Sequence, residues 1–299
     1  MSPSGRFDAF GSHHPLIPFL LMTYAIVASA LVRHPAFLAV SLACAAAYYL
    51  LLKGRAGLRL LAAMAGLFVL VSAVNPLVNT MGETVLFAYA GGRPYTLEAL
   101  CYGMATAAML VAMMLWFSCF NAVMTSDAVM HLMAPVSPAL SLVLTMTLRL
   151  IPLYQRKASD IAQARACIGR MPDENPRARA EGGAAVLGAL TSWAFESAVT
   201  TADSMRSRGF ATGMRTTYAR YRFDGRDALM LAGMLVLAAA SGACMAGGAA
   251  ACEFIPAIVV PSPTPLFWAG LTSFGLLLSI PSITHVGERA LWRYSLSKI

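Results

Sequence analysis

A chain of 299 residues that is 58% hydrophobic and only 12% charged has about half the charged share of a soluble domain. That excludes an ordinary soluble enzyme and implies several membrane spans. The net charge of +8 is a topology signal rather than a nucleic-acid signal, because no soluble module outside the apolar runs presents a basic face.

A span needs about 20 predominantly apolar residues. The first run, 16–32, follows a polar lead, SGRFDAFGSHHP, and no small-x-small cleavage site precedes Arg33, so it reads as a span and not a removable signal. His13 and His14, beside Pro15, are expected in the headgroup layer, with no third metal ligand nearby. The second run, 36–52, is separated from the first only by Arg33, His34 and Pro35, which predicts a tight helical hairpin. The basic cluster Lys53, Arg55, Arg59 follows. A third run, about 60–78, closes on Asn75-Pro76-Leu77, where proline predicts a kink and the Asn amide a cap for freed backbone. A polar loop with Gly91, Gly92, Arg93 and Pro94 leads to a fourth run, 99–120, whose Trp116 and Phe117 suit an interfacial belt. Two more runs, about 228–250 and 264–283, close the hydrophobic part before a basic tail. Pro281 is expected near the end of the last helix. The six cysteines show no CxxC pairing, mostly lie inside apolar runs and read as packing residues, so no disulfide, metal or cofactor is implied.

With the N-terminus in the cytoplasm, six spans leave 20 of the 22 Lys and Arg residues on the inner side and only Arg33 and Arg93 outside. Both termini are then cytoplasmic. The chain divides into an N-terminal membrane region (1–124), a central basic region (125–225) and a C-terminal membrane region with a tail (226–299).

The central region holds two helix-compatible runs, roughly 136–170 and 180–209, joined by the polar turn MPDENPRARAEGG (171–183). Each ends in a basic, Gly-containing segment, CIGR (167–170) and MRSRG (205–209). In the second run Ser192, Glu196, Thr200 and Asp203 recur at steps of four and three and draw one polar stripe. Glu196 with Thr200, Asp203 with Arg206, and Arg156 with Asp160 are spaced for local pairing. Pro152, just after Arg149, predicts a kink in the first helix. Gly209 can stop the second helix and leave Arg208 projecting from its tip, a guanidinium fork suited to the carboxylates and carbonyls of a docking surface.

No GK[ST] phosphate loop, HExxH or nucleophile elbow occurs, the carboxylates are scattered singly, and the spans hold almost no ionisable residue. Catalysis by this chain alone, or a self-sufficient ion path, is therefore not expected.

At the central helices the sequence resembles the transmembrane coupling (T) component of energy-coupling factor ABC transporters, the cobalt-transport permease Q-like family. TADSMRSRGF (201–210) resembles that family's second docking motif, with Ser207-Arg208-Gly209 in the place of Ala-Arg-Gly. TSWAFESAVTTADSM before it and YRFDGRD (221–227) after it agree. LRLIP (148–152) resembles the Arg-x-x-Pro opening of the first coupling helix, with Arg149 and Pro152 in those places. NPLV (75–78) and WFSCFNAVMTSD (116–127) resemble further family segments. One departure stands out. The first motif's Arg position is Ile168, followed by the expected Gly169, and the nearest basic residues are Arg170, ranked first, and Arg165.

The resemblance implies an all-α, multi-pass protein of a prokaryotic inner (plasma) membrane, with about six transmembrane helices and two long amphipathic cytoplasmic coupling helices. It implies a non-catalytic subunit that passes ATP-driven motion from two cytoplasmic ABC-type ATPase subunits to a small membrane substrate-binding (S) subunit, for uptake of a vitamin or transition-metal ion. Ser207, Arg208, Gly209, Arg170, Gly169 and Arg165 would dock the ATPases, supported by Arg149, Pro152, Glu196 and Asp203. Partners are then those subunits and the bilayer, with no nucleic acid and no cofactor. Two other readings stay open: a membrane enzyme acting on an anionic lipid head group, and a scaffold for a non-ATPase partner.

Overall fold

The computed structural model describes residues 10, 13–79, 82, 84–89, 93–135, 137–169, 175–210, 212, 223–252, 254 and 264–296. The chain forms two compact units, one of residues 1–129 with 221–299 and the other of residues 130–220.

The first unit contains α1 (Leu16–Leu31), α2 (Pro35–Lys53), α3 (Gly57–Val78), a hairpin of β1 (Val85–Tyr89) and β2 (Arg93–Thr96), α4 (Leu97–Val123), α8 (Gly225–Cys244) and α9 (Pro265–Leu296). A 3-10 turn, Gly54–Ala56, joins α2 to α3, and a π turn, Met245–Ala249, extends α8. Among the described residues, four helical segments are long and apolar enough to cross a membrane: Pro35–Val78, Leu97–Val123, Gly225–Ala249 and Pro265–Ala290. The first of these is 44 residues long and includes the turn between α2 and α3, whereas α1 is a shorter apolar helix.

α2 and α4 occupy the middle. α4 packs on α1, α2 and α3, and α9 lies against α2 and α8. Trp116 of α4 is fully buried, and its indole Nε1–H donates to Ser41 Oγ of α2 at 3.0 Å. Ser41 Oγ lies 2.7 Å from Ser29 Oγ of α1, so one polar chain pins three helices where no water can serve the indole. This corrects the interfacial place expected for Trp116; Phe117 beside it is the exposed ring, at 56%. Tyr24 of α1 and Ser241 of α8 share a 2.6 Å hydroxyl bond, and Phe37 of α2 packs on Phe267 and Phe274 of α9.

The contacts sort the charges to the two ends of this unit. At one end Phe10 packs edge-on to Tyr48, His13 Nδ1 meets Asp227 Oδ1 at 2.7 Å, and Arg289 Nη2 donates to the Leu51 carbonyl at 3.3 Å. That end gathers the start of α1, the end of α2, the start of α8 and the last part of α9, with Lys53, Arg55 and Arg226 beside them in sequence. At the other end His34 caps α2 by accepting from Ala36 N and lies 4.9 Å from the Phe267 ring. Burial there pushes the His34 imidazole below its ordinary value.

His13 pairs with Asp227 and His14 lies edge-on to Phe223, both partly exposed at the charged end of the unit. Some local expectations change. α3 runs through Pro76 to Val78, and Asn75 Nδ2 donates to Thr106 Oγ1 of α4 at 3.2 Å instead of capping backbone. Gly103 of α4 lets the two helices close at this point, since a Cβ there would lie 2.8 Å from Asn75 Cβ and 3.0 Å from the Ser72 carbonyl oxygen. α9 likewise continues past Pro281 to Leu296. The short antiparallel hairpin before α4 was not anticipated; Glu98 in the first turn of α4 ties down its approach, accepting from Thr84 Oγ1 at 2.6 Å and from Thr84 N.

Candidate functional site

The second unit is built on two long helices, α6 (Pro138–Cys167) and α7 (Pro176–Ser207), preceded by the short α5 (Ser126–Met133), which straddles the unit boundary. Ser137 caps α6 by accepting from Leu140 N, and proline opens both helices at the position where its missing N–H costs nothing. That is why α7 begins at Pro176: the proline expected to belong to the turn starts the helix instead. Pro152 sits inside α6, which continues through it.

α6 and α7 meet near their middles. Tyr154 and Trp193 pack edge to face at 5.6 Å between centroids, and Lys157 Nζ lies 5.6 Å from the Trp193 ring centre, a cation-π contact. On one side of this meeting point the helices enclose an open cleft of 1180 Å³. Arg149, Pro152 and Arg156 of α6 line it, with Trp193, Glu196, Thr200 and Arg208 of α7 among the facing residues.

The two helix ends share one design. α7 closes on Arg208 at the C-cap and on Gly209 with φ 75°. Gly209 N donates to Arg206 O and Phe210 N to Met205 O, both at 3.0 Å, the paired bonds of a Schellman motif. α6 closes on Ile168 at the C-cap and on Gly169 with φ 81°, and Gly169 N donates to Ala166 O at 3.1 Å. Ile168 and Arg208 therefore hold equivalent positions, and both are exposed. At the first tip an apolar side chain, 73% exposed, stands where the second carries a guanidinium. Arg165 is half-buried one turn earlier. Arg170 lies outside the described residues.

Of the residues singled out from sequence, Arg149, Pro152, Glu196 and Arg208 line the cleft, whereas Arg165, Gly169, Asp203 and Ser207 do not. Of the pairings expected along the helices, Glu196 with Thr200 forms through the Glu196 backbone carbonyl, and the two charge pairs do not form. No ion pair within 4.0 Å joins Arg156 to Asp160 or Asp203 to Arg206. Exposed pairs gain too little Coulomb energy in water to hold two long side chains in one geometry. Thr200 Oγ1 donates to the Glu196 backbone carbonyl at 2.7 Å, and Thr191, Ser192 and Thr201 bond their own i−4 carbonyls in the same way. The Ser192 and Thr200 hydroxyls of the α7 stripe are thus satisfied by the helix's own backbone.

Sequence reading missed the contact of Tyr154 and Lys157 with Trp193 and the place of Arg156 in the cleft. Their i,i+3 and i,i+7 spacings, Tyr154 to Lys157 and Arg149 to Arg156, were the available signal. α7 also leaves Leu187, Phe195 and Val199 uncovered, at 63%, 72% and 64% exposure. Their spacing of eight and four residues sets them along one helix face. No group of three or more His, Cys, Asp or Glu side chains that could hold a metal ion occurs among the described residues. Comparison of the sequence with protein-family models and with characterised proteins finds no match.

Proposed function

We propose that this protein is the transmembrane coupling subunit of an energy-coupling factor type importer, with six spans, both termini in the cytoplasm, and α6 and α7 as its coupling helices. The observation that supports this best is the pair of helix ends closed by left-handed glycines, with the exposed Arg208 guanidinium at the tip of α7. Such a tip presents five N–H donors to an acidic groove without disturbing the fold beneath it. The uncovered Leu187, Phe195 and Val199 face offers a second surface, apolar, for a membrane partner. In this reading the ATPases grip the helix tips and the motion passes along α6 and α7 to a small substrate-binding subunit carrying a vitamin or transition-metal ion. The basic end of the first unit faces the cytoplasm, and the end with Arg33, His34 and the hairpin faces outward.

The enzyme reading would require convergent acid and base groups, and the cleft brings a single carboxylate, Glu196, to its walls. ATP hydrolysis by the purified chain separates the readings. The protein alone is expected to hydrolyse none, and activity should appear when ABC-type ATPase subunits are added. Robust hydrolysis in a preparation free of other proteins would end the coupling reading.

A further inference from the structure

Docking at the helix tips leaves the cleft between α6 and α7 unexplained. Its walls combine two chemistries. Arg149, Arg156 and Arg208 face it with one carboxylate, Glu196, and Leu150, Leu153 and Met205 supply an apolar lining. No ion pair within 4.0 Å involves any of the three arginines among the described residues, so their donors are available to a ligand. Arg149 and Arg156 stand seven residues apart on one face of α6, about 10 Å along the axis, close enough for two flexible side chains to reach one phosphate between them. Guanidinium forks match phosphate oxygens in geometry and charge.

We infer that the cleft binds the head group of an anionic phospholipid. Arg149 and Arg156 hold the phosphate, and the Leu150, Leu153 and Met205 wall receives the first part of an acyl chain. An inorganic anion would use the arginines and leave that wall wet, whereas an amphiphile uses both. The surrounding sequence points the same way: residues 130–220 follow α4, which ends at Val123, and precede α8, which starts at Gly225, so both tethers come from helices apolar enough to cross a membrane. The inference stands apart from the coupling reading, because its clamp is made by α6 and its test contains no ATPase.

The test uses the full chain in non-ionic detergent, titrated with phosphatidylglycerol brominated near the top of its acyl chains. The readout is quenching of the Trp193 component of fluorescence, isolated by difference from Trp193→Phe. Phosphatidylglycerol should quench it saturably, brominated phosphatidylcholine at the same concentration should not, and millimolar inorganic phosphate should not displace the lipid. Arg149→Gln with Arg156→Gln should weaken binding at least tenfold, while Arg206→Gln, outside the cleft, should leave it unchanged. Equal quenching by the two lipids would overturn the inference without requiring any variant to fold, and would leave the guanidinium groups to an acidic protein surface. Displacement of the lipid by inorganic phosphate would also overturn it, in favour of a soluble anion. So would unaltered binding by the double variant.

Discussion

Replacing Arg208 by alanine is the sharpest perturbation of the docking tip. The residue is exposed at the C-cap of α7, and its backbone N–H donates to Ser204 O, a bond that alanine retains. Gly209 and Phe210 close the helix through their own backbone, so the end itself should survive. An exposed substitution of this kind changes stability by about 0.5 kcal/mol or less. What is lost is the guanidinium. A charge-assisted hydrogen bond contributes on the order of 1.5–3 kcal/mol net, so association with ATPase subunits should weaken by about ten- to a hundredfold. Arg208→Glu should be worse, because it adds repulsion wherever the groove is acidic. Arg206 is the internal control: it is also exposed and forms no ion pair within 4.0 Å, but it lies off the cleft and one position outside the Ser207-Arg208-Gly209 motif. Detergent pull-down of the ATPases and substrate uptake at equal membrane expression are the assays. If Arg208→Ala and Arg206→Ala behave alike, Arg208 is one more solvated charge and the site is wrongly placed.

Gly209→Ala should cost about 1–2 kcal/mol at the helix end, because φ of 75° suits only glycine and the added Cβ would lie 3.0 Å from Thr212 Oγ1; protease sensitivity after residue 207 should rise, and Gly209→Asn should be milder. Ser41→Ala should lower stability by about 1–2 kcal/mol, read as a fall in melting temperature in detergent, because it removes the hydroxyl that the buried Trp116 indole and Ser29 hydroxyl both bond. The His34 imidazole, held below its ordinary value of 6.5, adds a pH dependence. The unfolded chain binds this proton more readily than the folded chain, so the contribution is fully present above pH 6.5 and is lost as pH falls from there toward the folded value. A melting series across that range should show the decline, and His34→Asn should flatten it. Cysteine probes near residues 83–93 and at 253 should react with an external reagent in intact cells, and probes at 177 and 289 should not; external labelling at 177 would reverse the orientation.

The apolar helices were legible because lipid or core burial forces long runs of one chemistry. The runs at 16–32, 36–52 and 60–78 correspond to α1, α2 and α3 within a few residues at each end. The left-handed stops at Gly169 and Gly209 were legible for a local reason, since glycine after an amphipathic run is the usual C-terminal signal. What could not be read depended on partners distant in sequence. Trp116 is core and not belt because Ser41, on another helix, accepts its proton. His13 is paired because Asp227 stands opposite it. α9 runs on from Pro281 to Leu296, whereas α3 ends at Val78, where its apolar run closes. At the site, spacing identified which arginines lie on which helix, but only the α6–α7 contact brings Arg149 and Arg156 to one cleft with Arg208.

Affinity purification of the chain from its native membrane, followed by identification of stoichiometric partners, tests the coupling account most directly. The account predicts two ABC-type ATPase subunits and one small membrane protein, with the ATPases lost when Arg208 is replaced by glutamate. Recovery of a stoichiometric partner without a nucleotide-binding fold, retained by that variant, would contradict it.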